Sequence, residues 1–238
     1  MIKISIIIPA FNEEKNLEQA VNGLCLLLDK NNMMNDCEIL IFNDKSTDKT
    51  GEIADNLAKE ISNIRVIHNE KNMGFGYNYR KGVEIAQGEY VMMIPGDNEI
   101  ETETIWKLIE LIGEADIVIS YPSNAEVRSL FRRIISFVYV KFLNFLFNLK
   151  LRYFNGINIH RVSLARKAIP TTFGFAYAAE MVITLLKSGA SYTESPIKIK
   201  PITNKSSAFK LKNIVSVVKT ILSLFWRINI KKERIKIY

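Results

Sequence analysis

Ile2-Lys3-Ile4-Ser5-Ile6-Ile7-Ile8-Pro9-Ala10-Phe11-Asn12-Glu13 opens the chain with a β-branched run that is too short for a helix and apolar on both faces. That pattern is expected of a strand buried in a parallel sheet, ended here by Pro9. Residues 14–30 then place Leu17, Ala20, Val21, Leu24 and Leu28 at three- and four-residue steps, so the strand feeds a helix. Glu38 to Phe42 repeats the strand signal and breaks into Asn43-Asp44-Lys45-Ser46-Thr47-Asp48, side chains that make turns and cap helices. A second helix follows to about Ser62, a third strand over Arg65 to His68, a helix over Gly76 to Gln87, and a fourth strand over Glu89 to Ile94. The alternation predicts an α/β fold, a mainly parallel sheet flanked by helices.

In such sheets ligands sit beyond the carboxyl ends of the strands, where loops and helix N-termini converge. Pro9 to Glu13, Asn43 to Asp48 and Pro95-Gly96-Asp97-Asn98-Glu99 all fall there, and each carries carboxylates that a plain turn would not need. Asp97 and Glu99, two apart, suit a hard cation such as Mg²⁺ or Mn²⁺, which takes oxygen ligands and shares them with a diphosphate. A turn at Asp97-Asn98 followed by a helix whose first acid is Glu99 explains the same residues, and the pattern alone leaves both open.

The chain has 238 residues, 48% hydrophobic and 24% charged, enough for a sizeable core and incompatible with disorder. Two cysteines, Cys25 and Cys37, exclude a disulfide framework and a four-thiolate zinc site. With no basic lead followed by an apolar run, a reducing cytoplasm is expected. Residues 1–127 hold 11 Lys/Arg against 22 Asp/Glu, whereas residues 128–238 hold 21 against 3, so an anionic partner is expected at the second half.

That second half opens with Arg128, Arg132 and Arg133. Ile134 to Leu149 is then apolar but only 16 residues long and interrupted by Lys141, short for a membrane span and suited to lying flat. From Leu211 to Arg227 the polar residues Lys212, Asn213, Ser216, Lys219, Thr220, Ser223 and Arg227 fit one arc of roughly 120° at helical pitch, with everything else apolar. With Lys231, Lys232, Arg234 and Lys236 beyond, this suits a helix on an anionic membrane surface; a core or dimer helix with a basic tail remains the alternative. Wide aliphatic faces argue against nucleic acid, whose binders interleave basic and stacking residues.

Pro9-Ala10-Phe11-Asn12-Glu13-Glu14, Asn43 to Thr50, Met73-Gly74-Phe75-Gly76 and Gly88-Glu89-Tyr90 running into Gly96-Asp97 resemble family 2 inverting glycosyltransferases of the GT-A fold. Phe154-Asn155-Gly156-Ile157-Asn158 with Arg161, Gly174 to Met181, and Glu194 to Ile199 are similar to the acceptor half of the dolichyl- or polyprenyl-phosphate sugar synthases. The resemblance covers roughly residues 3–210. It implies a donor half over 1–127, an acceptor half over 128–210 with an interfacial helix at about 134–149, and an amphipathic basic helix and tail over 211–238.

The same resemblance implies that Pro9, Phe11, Asn12, Glu13, Asp44, Gly74, Gly96 and Asp97 bind the nucleotide, with Asp44 reading the base. Asp97 and Glu99 would ligand Mg²⁺ or Mn²⁺. The acceptor phosphate would meet Arg128, Arg132, Arg133 and Lys205, and the catalytic set would be Asp97, Glu180, Arg132 and Arg133. Two positions depart from the family pattern: Pro95 stands for the first acid of the DxD motif, and Asn43-Asp44 for an Asp-Asp pair. Ser120-Tyr121-Pro122 stands where an arginine usually follows strand five, and Asn204 to Ser207 lacks the glycines of a mobile loop, leaving Lys205 or Lys210 as its basic residue.

The implied activity is inverting, metal-dependent transfer of a sugar from a UDP- or GDP-linked donor to a polyprenyl phosphate, by a protein peripheral on the cytoplasmic face of the membrane. An acceptor phosphate is already a competent nucleophile and needs no strong base; a glycan hydroxyl, the alternative acceptor, requires one. A non-catalytic nucleotide- or membrane-binding subunit is the other alternative, motivated by Pro95. His68 and His160 are expected to be structural.

Overall fold

The computed structural model describes residues 2–201 and 211–237. Its strands are β1 (Ile4–Ala10), β2 (Cys37–Asn43), β3 (Ile64–His68), β4 (Tyr90–Met93), β5 (Ile117–Pro122), β6 (Ile159–Arg161) and β7 (Tyr192–Ile197). Its helices are α1 (Leu17–Lys30), α2 (Thr50–Glu60), α3 (Phe75–Ile85), α4 (Thr102–Ile109), α5 (Leu130–Phe147), α6 (Val162–Lys167), α7 (Tyr177–Lys187) and α8 (Leu211–Phe225). All seven strands join one sheet, ordered β3-β2-β1-β4-β6-β5-β7.

The sheet is mainly parallel, as the alternation of strands and helices predicts. β1 pairs in parallel with β2 and with β4, matching Ile4 to Cys37 on one side and to Tyr90 on the other. Every residue of β1 and β2 is buried, so both faces are covered and no polar alternation survives. Side chains at successive positions go to opposite faces. Ile4, Ile6, Ile8, Ile39 and Ile41 join Leu17, Leu24, Ala54, Ile105 and Leu108 in the core beneath α1, α2 and α4. Ile7, Leu40, Phe42, Val91 and Ile119 join Tyr79, Leu143, Val162, Met181 and Leu224 in the core beneath α3 and α5 to α8.

One strand breaks the parallel rule. β6 runs antiparallel to both β4 and β5, pairing Val118 with Ile159 and Ile117 with His160. The chain therefore leaves β5 at the carboxyl rim of the sheet, makes the excursion containing α5, and re-enters the sheet from that same rim.

α5 starts earlier than its apolar run suggests, because Ser129 caps it: the Ser129 hydroxyl accepts the Arg132 amide at 3.4 Å. Its apolar surface is divided. Leu143 and Phe147 are buried, with Tyr139, Val140 and Leu146 packed beside them, whereas Phe131, Ile134, Phe137, Val138 and Phe145 are exposed, Phe145 to 85%. α8 is divided in the same way. Ile221 and Leu224 are buried, together with Ile228 in the wider π-turn Trp226–Ile230 that extends the helix, and Leu211, Val218, Leu222 and Trp226 are exposed. Leu211–Ile230 is, among the described residues, the one helix long and apolar enough to cross a membrane by length and composition. Its inner stripe is instead packed in the protein's own core. The basic tail also folds back, with Ile235 donating its amide to Ser188 Oγ at 3.0 Å and Lys167 Nζ donating to the Lys236 carbonyl at 2.9 Å.

Candidate functional site

The first two strand-end loops are stitched together. Asn12, in the left-handed region at φ 58°, donates its amide to Ser46 Oγ at 3.0 Å and accepts the Thr47 amide at 2.8 Å. Asparagine tolerates this backbone better than most residues, its short side chain bonding locally. The Glu13 amide donates to Thr50 Oγ1 at 2.7 Å and the Glu14 amide to Asp48 at 3.2 Å. Pro9 is buried beneath this seam and Phe11 stands 45% exposed above it. Asn43, in place of an acid, accepts the Ser46 amide at 3.1 Å and faces His68 Nδ1 at 3.0 Å, while His68 Nε2 meets Asp55 at 3.0 Å.

Asp44 is 4% exposed. Its carboxylate accepts the Asn69 side-chain amide at 2.7 Å and the backbone amides of Met73 and Gly74, each at 2.8 Å. A carboxylate has about four acceptor positions, so Asp44 holds the 69–74 loop with three of them. Gly74, at φ 85°, and Gly76 let this loop meet residues 172–173. A Cβ at Gly76 would collide with the Thr172 carbonyl oxygen, and the Gly76 amide donates to the Phe173 carbonyl at 2.9 Å.

The third loop follows β4. Asp97 accepts the Glu99 amide at 3.1 Å across Asn98, whose φ is 55°. This is the turn that the sequence allows, but Glu99 lies before α4, whose first-turn acid is Glu103, so the cap explanation does not account for Glu99. The loop is braced from the segment that follows β7. Lys200 donates its amide to the Glu99 carbonyl at 2.8 Å and its ammonium to Asn98 Oδ1 at 2.6 Å. Gly96 is buried and donates to the Pro9 carbonyl at 3.1 Å.

Electrostatics gather these pieces. Burial holds the carboxyl of Asp97 above its usual range, opposed by the Glu99 and Asp97 amides and by Arg132. Burial and the charge of Asp97 raise Glu99, against Arg132 and Arg128. Burial also raises Glu13, opposed by Asn16 and reinforced by Asp97 and Asp48. The guanidinium of Arg132 is pulled down by burial and by Arg128. Arg128 donates to the Tyr153 hydroxyl at 3.3 Å, and its buried Nε has no hydrogen-bond partner among the described residues. Glu13, Asp97, Glu99, Arg128 and Arg132 thus form one half-buried cluster, with anionic and cationic edges.

This donor set fits a divalent cation that arrives with a diphosphate. Among the described residues no three acidic, histidine or cysteine side chains converge to hold a metal by themselves, and Pro95 has no donor to add. Two raised carboxylates would be relieved by a cation whose remaining ligands are phosphate oxygens and water. The free donor of Arg128 suits a phosphate on the other edge.

Two candidates lie elsewhere. Arg133 is exposed and a helical step of about 100° round from Arg132, outside the cluster. Glu180, which the resemblance places in the catalytic set, is engaged here by the chain's own donors. It is 2% exposed, and its oxygens accept the Thr171 amide at 3.1 Å, Thr171 Oγ1 at 2.8 Å, the Thr172 amide at 3.1 Å and Arg227 Nη1 at 2.8 Å. No acceptor position remains for a substrate proton. Lys205, with Lys210, lies outside the described residues. The Asn12–Thr47 seam, the Lys200 brace and the Arg227 partner of Glu180 were not read from the sequence; only the seam had a local signal, the run Ser46-Thr47-Asp48.

The family model described as glycosyl transferase family 2 matches residues 5–169, and the chain belongs to that family. Its architecture is the GT-A fold. Glucosyl-3-phosphoglycerate synthase of Mycobacterium tuberculosis, solved with UDP, superposes with a TM-score of 0.72 at 19% identity, over 94% of this chain and 80% of that one. An uncharacterized protein of Methanocaldococcus jannaschii is 27% identical over 92% of this chain and 98% of its own length. A dolichyl-phosphate beta-glucosyltransferase of Trichomonas vaginalis is 31% identical over 53% of this chain and 42% of that protein. The match also spans only 35%, 29% and 39% of the length of three bacterial glycosyltransferases.

Proposed function

We propose that this chain transfers a sugar from a UDP- or GDP-linked donor to a polyprenyl phosphate at the cytoplasmic membrane surface, with inversion and with Mg²⁺ or Mn²⁺. The observation that carries the reading is the double use of α5. Its first turn sets Arg132 within electrostatic range of Asp97 and Glu99, while the outer face of the same helix exposes Phe131, Ile134, Phe137 and Phe145. A lipid phosphate held at a bilayer surface would meet the arginines there while its chain stays in the apolar layer. The name of one relative, a dolichyl-phosphate glucosyltransferase, supports this acceptor class, whereas a beta-1,3-glucosyltransferase acting on a glycan linked to undecaprenol diphosphate shares the lipid carrier and transfers to a sugar hydroxyl, the alternative acceptor.

The cation, when bound, would neutralise charge developing on the leaving diphosphate. A second structure of the mycobacterial synthase holds Mn²⁺ with UDP, which supports both the metal and a uridine donor. In this chain Asp97 and Glu99 would hold it, and Arg128 and Arg132 would stabilise the phosphates. Saturation of Glu180 favours the phosphate acceptor over a glycan hydroxyl, because it removes the candidate base that a hydroxyl would require.

Purified protein incubated with nucleotide sugars, Mn²⁺ and undecaprenyl phosphate is expected to release nucleoside diphosphate and to form a glycolipid. Release stimulated by oligosaccharides and not by lipid phosphate would transfer the assignment to the hydroxyl reading. Nucleotide binding with no turnover on any acceptor would favour a non-catalytic subunit, the reading motivated by Pro95.

A further inference from the structure

Glu180 is a buried carboxylate whose cationic partner lies 47 residues further along the chain. Arg227 Nη1 reaches it at 2.8 Å from the π-turn at the end of α8, where the Lys231 amide donates to the Trp226 carbonyl at 2.9 Å. Arg227 faces a second acid, Glu233, at 3.0 Å, and its carbonyl accepts the Glu233 amide at 2.9 Å. Single π-turns of this kind occur frequently at functional positions.

From Glu180 an unbroken series of contacts runs to the donor loops. Its oxygens take the amides of Thr171 and Thr172. The next carbonyl, that of Phe173, accepts the Gly76 amide, and the backbone there approaches so closely that neither Gly74 nor Gly76 can carry a Cβ without displacement. Gly74 in turn donates to Asp44 at 2.8 Å, beside the seam between the first two strand-end loops. Each link is a directed hydrogen bond or a backbone contact, so the position of residues 171–173 sets that of residues 73–76.

We propose that Arg227 and Glu180 are a positioning pair through which the C-terminal helix holds the nucleotide loop in its binding geometry. Removing one partner of a buried pair leaves an uncompensated charge, and Glu180 would then recruit other donors or water, drawing Thr171 and Thr172 with it. The inference rests on the donor-binding reading above and adds that donor affinity depends on a residue at the far end of the chain.

The test uses the full chain and calorimetric titration with UDP–Mn²⁺ and GDP–Mn²⁺, followed with the nucleotide that wild type binds more tightly. Arg227→Gln is expected to weaken that nucleotide by about tenfold, as coupled contacts in one network do, while Arg227→Lys recovers most of the loss. The double variant Glu180→Gln/Arg227→Gln removes both charges and is expected to bind better than Arg227→Gln alone. Leu224→Ala, which opens the core under the same helix, is expected to lower Tm and to leave nucleotide affinity unchanged. Wild-type affinity in Arg227→Gln, or a loss in Leu224→Ala that tracks its loss of Tm, would overturn the positioning role. Failure of wild type to bind either nucleotide would overturn the donor reading itself, a separate result.

Discussion

The carboxylate of Asp44 accepts the amide of Gly74 at 2.8 Å, fixing the loop after β3 to the end of β2. Asp44→Ala would strand the Met73 and Gly74 amides and the Asn69 side chain in a buried setting. A stability loss of about 3 kcal/mol is expected from unsatisfied donors of this kind, read by urea melts, with a nucleotide KM raised more than kcat is lowered. Equal KM in the variant would show that the loop does not bear on the donor.

Asp97 and Glu99 carry raised pKa values, Asp97 through burial and Glu99 through burial and the charge of Asp97. Between the ordinary and raised values the folded protein binds more protons than the unfolded chain, so this pair lowers stability as pH rises through that window. Asp97→Asn is therefore expected to raise the ligand-free Tm by roughly 2 °C while removing metal-supported nucleotide binding. In the wild type that binding should weaken on acidification at a pH above the ordinary carboxylate range. A variant with lower Tm and intact Mn²⁺-dependent binding would contradict both statements.

His160 lies in β6, 2% exposed, with Nδ1 3.0 Å from the Tyr79 hydroxyl, and burial pushes its pKa down to about 4. The unfolded chain takes up a proton below about 6.5, where the folded one does not. Stability is then lost as pH falls from there towards 4, by up to about 3 kcal/mol from this group. Chemical denaturation at pH 7 and pH 5 should show a smaller acid loss in His160→Gln than in wild type; equal slopes would assign the loss elsewhere.

Phe145 and Leu222 are exposed on α5 and α8. Replacing both with Glu should leave stability within about 0.5 kcal/mol, as exposed substitutions do, yet weaken sedimentation with anionic vesicles by roughly tenfold or more from lost apolar burial. Unchanged partitioning would remove these faces from the membrane account.

The parallel half of the fold was legible because β1 and β2 are buried on both faces and leave uninterrupted apolar runs, and because turn-forming residues punctuate their ends. β6 was not legible as a strand. It has three residues, one a histidine and one an arginine, and its place between β4 and β5 is set by pairing that no local pattern carries. The start of α5 was obscured by Arg128, Arg132 and Arg133, which interrupt the apolar period just where Ser129 caps the helix. In the candidate site, the gathering of Glu13, Asp97 and Glu99 was legible as carboxylates at strand ends, and the cation beside them as part of the basic run. The hydrogen bonds that engage Glu180 were not legible, because its partner Arg227 lies 47 residues away.

The reversed direction of β6 also bears on how such a chain can diversify. Because the excursion between Pro122 and Ile159 departs from and returns to one rim, its length and sequence can change without disturbing the order or register of the strands that carry Asp44 and Asp97. On the proposed reading, acceptor preference would then reside in the parts of this excursion beyond Arg128 and Arg132, free to change while the strand-end loops of the donor side hold their places.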